Sequence, residues 1–118
     1  MIIKNFTKNI NFDILITVKK GGIIMVKHVV CFKLNDGESA QKAKEVLMGM
    51  EKNVPTVRGI EVGIDELHSA RSYDVMLTVL VDDFKALEEY QNDKYHCEVV
   101  KKHMHAVAKA SIAIDYQI

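Results

Sequence analysis

Residues 72–92, SYDVMLTVLVDDFKALEEYQN, contain the strand and the helix that decide the fold. Tyr73–Val81 is the most apolar run in the chain after Met25 and is rich in β-branched residues, which predicts a strand. Asp82 and Asp83 then place negative charge at the positive end of a helix dipole. We therefore predict that this strand leads directly into a helix that runs from Phe84 to about Gln91.

The segments on either side complete a regular pattern. Alternating apolar residues indicate strands, an apolar stripe with helical spacing indicates a helix, and Pro55 ends the first helix. The further predicted elements are a strand over Val26–Leu34, a helix over Ser39–Asn53, a strand over Val57–Ile64, a helix over Tyr95–Val107 and a strand over Ala110–Gln117. The order β-α-β-β-α-β predicts an α+β, ferredoxin-like subunit, with a four-stranded antiparallel sheet and helices on one face.

The third strand is apolar on both of its faces. Val75, Leu77 and Val79 lie on one face, whereas Met76 and Leu80 lie on the other. Helices can cover only one face of such a sheet, so the second face would form a large exposed apolar patch. We therefore predict a homodimer in which two sheets pack face to face and close a barrel. The alternative is a monomer whose open face is made sufficiently polar by Ser72, Asp74 and Thr78.

The segment before Met25 differs from the rest of the chain. It contains four lysines and one aspartate, so it has a net charge of +3 and the remainder has −3. Lys19-Lys20-Gly21-Gly22 can be encoded by a purine-rich ribosome-binding sequence just upstream of Met25. We therefore predict that residues 1–24 are a non-native or disordered leader and that residues 25–118 form the domain. The alternative is a genuine N-terminal arm or an additional edge strand.

The composition excludes several classes of partner. The chain has 118 residues, 48% of them hydrophobic and 27% charged, which is typical of one soluble domain. Because the part after Met25 is mildly acidic and has no basic stripe, we expect no nucleic acid partner. No apolar run is long enough to span a membrane. Cys31 and Cys97 are too few for a disulfide scaffold, which is typical of a cytoplasmic protein with reduced cysteines.

Four pieces of the chain together resemble the stress-responsive dimeric α/β-barrel (Dabb) family. They are VKHVVCFKL, SYDVMLTVLVDDFKALEEYQN, the later His96 and the closing IAIDYQI. The resemblance covers nearly all of residues 25–118. It implies a ferredoxin-like subunit, a barrel formed across a dimer interface, and a cleft between the sheet and the helices of each subunit.

The resemblance also implies candidate catalytic residues. A plant branch of the family contains polyketide cyclases, which close a linear polyketide by aldol condensation without a cofactor. The residues associated with catalysis in that branch match His28, Tyr90 and His96 in this chain. One turn departs from the family pattern Tyr-x-x-His-Pro-x-His, because YQNDKYH has Asp93 and Lys94 in place of the first His and the Pro.

These three side chains are suited to acid–base chemistry without a cofactor. Histidine titrates near neutral pH and can take and return a proton, and a tyrosine hydroxyl can donate to a developing enolate oxygen. The structural alternative is that His28 is a bonded core histidine, that Tyr90 packs under the sheet, and that His96 only begins a helix. A metal site at His96, Cys97 and His103 is a weaker alternative, because no HxxxH or CxxC pair is present, and we expect no metal.

Three classes of function therefore remain open. The first is a binding or stress-response protein that holds a small apolar, aromatic or carbonyl ligand in the cleft. The second is a cofactor-independent enzyme with cyclase-like or lyase-like chemistry. The third is a purely structural dimer, whose cleft we expect to be filled by side chains such as Phe32, Phe84 and Tyr95.

Overall fold

A computed structural model describes residues 24–118 of the chain. The predicted leader therefore lies outside the described residues, except for its last position. The secondary-structure elements are β1 (Val26–Leu34), α1 (Ala40–Met48), α2 (Met50–Asn53), β2 (Gly59–Ile64), β3 (Val75–Val81), α3 (Phe84–Asn92), a π-helical segment (His96–Lys101), α4 (Lys102–Val107) and β4 (Ala108–Gln117).

The four strands form one antiparallel sheet in the order β2-β3-β1-β4. In this sheet His28 on β1 lies opposite Val79 on β3 and opposite Asp115 on β4. The helices pack against the face that carries His28, and the main core lies between these two layers. The predicted α+β, ferredoxin-like fold is therefore confirmed.

Side-chain caps explain where two helices begin. The Ser39 hydroxyl accepts a hydrogen bond from the Lys42 backbone N–H at 3.0 Å, and α1 begins at the next residue. The Asp83 carboxylate accepts a hydrogen bond from the Ala86 backbone N–H at 2.7 Å, so α3 begins at Phe84 as predicted.

Two predicted helices differ from the observed ones. The first is divided at Gly49 into α1 and α2. A Cβ atom at Gly49 would lie 2.5 Å from the Tyr95 hydroxyl oxygen, so a larger residue there would displace that ring. The second, predicted as one α-helix over Tyr95–Val107, is π-helical from His96 to Lys101 and α-helical only afterwards.

The second face of the sheet is only partly covered within the described residues. Leu80 is fully buried there because Met25 and Ile118 pack against it. The remaining large apolar side chains of this face are substantially exposed: Met76, Ile112, Ile114 and Tyr116. The exposed area is thus concentrated on β4 and on the start of β3.

No helix in residues 24–118 combines the length and the apolar character that crossing a bilayer requires.

Candidate functional site

A cavity of about 380 Å³ lies between the sheet and the helices. Its floor is formed by β1 and by Leu77 of β3, and its walls by the end of α3, the π-helical segment, α4 and the start of β4. The three residues proposed from the sequence all line it: His28, Tyr90 and His96. The fold therefore brings side chains from three separate elements to one space.

Tyr90 lies in the last turn of α3, on the side of the helix that faces the core. The residue has no exposed surface, and its hydroxyl has no hydrogen-bond partner among residues 24–118. Burial raises the pKa of Tyr90, and the charge of Asp115 raises it further. The hydroxyl is therefore protonated at neutral pH and has a proton to donate.

His96 is held by the polar turn that precedes it. Its backbone N–H donates to the Asp93 carboxylate at 3.0 Å, and its ring Nδ1 lies 3.3 Å from the Gln91 carbonyl oxygen. Because a carbonyl oxygen can only accept, Nδ1 must carry the proton. Burial lowers the pKa of His96, so the ring is neutral at physiological pH and its Nε2 keeps a lone pair.

His28 is held from the opposite side by a carboxylate. Its Nδ1 donates to an Asp115 oxygen across the β1–β4 pair. The histidine side chain is 6% exposed and the aspartate side chain 33% exposed, so the pair joins the core to the edge of the sheet. This contact fixes the orientation of the His28 ring and turns its Nε2 away from Asp115.

The tyrosine ring is in contact with both imidazole rings. The centroids of His28 and Tyr90 lie 5.4 Å apart in an edge-to-face arrangement, and those of Tyr90 and His96 lie 4.5 Å apart with tilted planes. Such contacts restrict ring rotation. Tyr90 therefore lies between two imidazoles, each of which is oriented by an oxygen acceptor.

Sequence reasoning missed two parts of this arrangement. The alternation along the last strand does not by itself indicate that Asp115 pairs with His28 on the first strand. The available signal was that a ferredoxin-like fold places the last strand, which carries Asp115, beside the first strand, which carries His28; the register that sets them opposite each other needed the structure. The Gln91 carbonyl could not have been identified, because it depends on how the chain turns after α3.

The alternative metal ligands do not converge. Cys97 Sγ donates to the Gln91 carbonyl oxygen at 3.3 Å, and His103 does not line the cavity. In the described part of the chain, no three His, Cys, Asp or Glu side chains are close enough to hold a metal ion together.

The fold and the cavity define an α+β subunit with a two-layer core and a ligand-sized space between the layers. Comparison with protein families gives a more specific result: residues 26–118 match the stress-responsive A/B barrel domain, Dabb. The chain belongs to this family. No curated protein matches it.

Solved structures share the fold at low sequence identity. A dimeric ferredoxin-like protein of unknown function from Thermobifida fusca is 17% identical, with a TM-score of 0.68, over 82% of this chain and 93% of that one. A dimeric protein of the same fold from Bacteroides fragilis is 22% identical, with a TM-score of 0.65, over 80% and 96%. The hydroxynitrile lyase of Passiflora edulis is 14% identical, with a TM-score of 0.66, over 80% and 93%.

We expect the imidazole of His96 to titrate below the ordinary histidine pKa of about 6.5. Burial is the main cause, and the positive charge of Lys101 contributes in the same direction. Lys101→Met should therefore raise the pKa of His96, whereas Lys102→Met, at an exposed neighbour that does not line the cavity, should change it less. Histidine side-chain NMR over a pH series measures both values.

The lowered pKa of His96 also makes the free energy of unfolding depend on pH. The unfolded chain takes up a proton at the ordinary histidine pKa, but folded His96 resists protonation until a lower pH. The contribution of His96 to the free energy of unfolding is therefore complete above pH of about 6.5 and is lost as the pH falls towards the folded pKa. A folded pKa at or above the ordinary value would contradict this account of the site.

Proposed function

We propose that the cavity binds a small, mainly apolar ligand whose carbonyl or phenolic oxygen accepts a hydrogen bond from Tyr90. The observation that carries this proposal is the buried Tyr90 hydroxyl, which has no partner within the described residues. A buried donor without a partner costs roughly 1–3 kcal/mol. A ligand oxygen in the cavity would remove that cost.

The rest of the cavity suits such a ligand. Its lining includes apolar side chains from both layers: Val30, Phe32 and Leu77 from the sheet and Val100 and Met104 from the helices. A volume of about 380 Å³ is in the range of small-molecule sites. A few polar groups in an apolar wall fix the orientation of a ligand, and the wall supplies most of its burial.

The same geometry favours binding over a purely structural role. A structural dimer was expected to fill its cleft with Phe32, Phe84 and Tyr95. Phe32 lines the cavity, but Phe84 and Tyr95 do not, and Phe84 is half exposed. Phe84 and Tyr95 therefore do not fill the cavity that His28, Tyr90 and His96 line.

Cofactor-free acid–base catalysis is the second candidate, and the free Nε2 lone pair of neutral His96 favours it. In this reaction Nε2 removes a proton from the carbon next to a ligand carbonyl. The electrons of the C–H bond move towards the carbonyl oxygen, where Tyr90 donates a hydrogen bond. In a cyclase-like reaction the enolate carbon then attacks a second carbonyl carbon of the same molecule, and the oxygen of that carbonyl takes the proton held on Nε2. The hydroxynitrile lyase of Passiflora edulis provides a lyase with this fold.

We further propose that the chain forms a homodimer through the open face of its sheet. Ile114 is 63% exposed and Ile112 is 54% exposed, and both lie on the face opposite the helices. A second copy of the same face would bury both patches. The structural neighbours from Thermobifida fusca and Bacteroides fragilis are both described as dimeric. A cytoplasmic location fits the two free cysteines, Cys31 and Cys97.

Tyr90→Phe separates ligand binding from folding. Since the variant removes a buried hydroxyl that lacks a protein partner, we expect the free energy of unfolding without ligand to stay the same or to rise. We expect a preference for acetophenone over ethylbenzene in the wild type, worth about 5- to 10-fold in Kd, and its loss in Tyr90→Phe. Calorimetry and denaturant unfolding measure these quantities.

Tyr95→Phe is the matched control, because Tyr95 does not line the cavity. It should keep the preference for the ketone. The binding proposal would be overturned if the wild type bound both compounds equally or if neither bound.

Ile114→Lys tests the dimer. A lysine at the centre of the proposed interface should produce monomers with unchanged circular dichroism, because the side chain is already exposed in the single subunit. Val99→Lys, at an exposed apolar residue of the π-helical segment, should remain dimeric. Sedimentation equilibrium gives the mass of each, and a monomeric wild type would refute the interface.

Deuterium exchange tests the enzymatic candidate. If His96 abstracts protons, the protein should speed the incorporation of deuterium into the methyl group of acetophenone. His96→Gln should then lower this rate by about 10²- to 10⁴-fold. Mass spectrometry follows the exchange. No acceleration by the wild type in spite of binding would leave the cavity as a binding site without this activity.

A further inference from the structure

Three basic side chains belong to the lining of the cavity. Lys101 closes the π-helical segment, His105 lies one α-helical turn further, and Lys109 lies at the start of β4. All three line the cavity, and no aspartate or glutamate of the described residues does so. The lining therefore combines apolar and basic side chains and, within the described residues, includes no acidic one.

Of the two lysines that line the cavity, one has no acidic partner within the described residues. Lys109 Nζ lies 3.7 Å from an Asp36 carboxylate oxygen, which offsets its charge. Lys101 has no ion-pair partner within residues 24–118, and its side chain is only partly exposed. Lys101 is thus a lysine of the lining whose charge no ion pair in residues 24–118 offsets, and a single carboxylate could pair with it.

The π-helical turn places Lys101 close to the inner site. In a π-helix the hydrogen bond reaches the fifth residue, so a side chain five positions on returns to nearly the same side. Lys101 follows His96 by five residues, and both line the cavity. The pKa of His96, which burial lowers, is lowered further by the charge of Lys101. Tyr90, His96 and Lys101 are therefore available to a ligand in one cavity.

We propose that the ligand carries a carboxylate that forms an ion pair with Lys101 while its carbonyl or phenolic oxygen meets Tyr90. The ligand class is then a small hydroxyaryl or keto carboxylic acid with an apolar body between its two polar ends. This inference rests on the proposed function, because it assumes that Tyr90 receives the inner oxygen. An ion pair in a partly buried site is less weakened by water than one on the surface.

A matched set of probes tests the carboxylate. Binding of 3-(4-hydroxyphenyl)propanoate, its methyl ester and the corresponding 3-(4-hydroxyphenyl)propyl phosphate is measured by calorimetry on the full chain. We expect the acid to bind about tenfold more tightly than the ester. Lys101→Met should abolish that difference and leave the affinity for the ester unchanged. Lys102→Met, the exposed neighbour, should retain it.

The outcomes separate this inference from the function on which it rests. If the ester binds and Tyr90→Phe weakens it, but the acid has no advantage, the cavity proposal stands and the carboxylate is refuted. If the phosphate binds more tightly than the acid, the assignment of a carboxylate is wrong. If Lys102→Met removes the advantage as fully as Lys101→Met, the effect is general surface charge and the assignment to Lys101 fails. If no probe binds, both proposals fall.

Discussion

Burial of the Tyr90 hydroxyl without a described partner is the constraint on which the site depends. The ring contributes to the core and has no exposed surface, so the hydroxyl cannot turn to solvent without disturbing the packing. Tyr90 lines the cavity, so a ligand there is the candidate partner for this hydroxyl. The fold therefore keeps a desolvated donor beside an apolar space, which costs stability in the free protein and favours any ligand with a suitably placed oxygen.

The two histidines beside this donor are held in fixed orientations. His96 is fixed through Nδ1 by a backbone carbonyl, and His28 is fixed through Nδ1 by the Asp115 carboxylate. In both rings the anchored nitrogen is Nδ1, so Nε2 is the atom left for other contacts. A purely structural role for the two histidines would require only that their buried nitrogens be hydrogen-bonded. The Nδ1 contacts to Gln91 and Asp115 already provide such bonds. The Tyr90 hydroxyl, by contrast, has no hydrogen-bond partner within the described residues.

The sequence was sufficient for the strands and their faces, because alternation along β1, β3 and β4 survives in the folded sheet. It was insufficient where the backbone departs from regular periods. An α-helix over Tyr95–Val107 would have placed Lys101 well away from His96, and only the wider π-helical turn brings the two to one side. The pairing of His28 with Asp115 also required the strand order and the register, and residue spacing along the chain fixes neither.

The open face and the cavity are connected through β4. This strand is at the edge of the sheet, and its neighbouring residues Ile114 and Asp115 point to opposite sides. In the proposed dimer, burial of Ile114 against the second copy would hold β4 against β1 and so keep Asp115 on His28. In a lone subunit this edge strand is exposed on most of its length, so Asp115 lacks the packing that a second copy would add on the opposite face. Dimerisation would therefore stabilise the His28–Asp115 contact through the opposite face of the sheet, although the second copy would add no residue to the cavity.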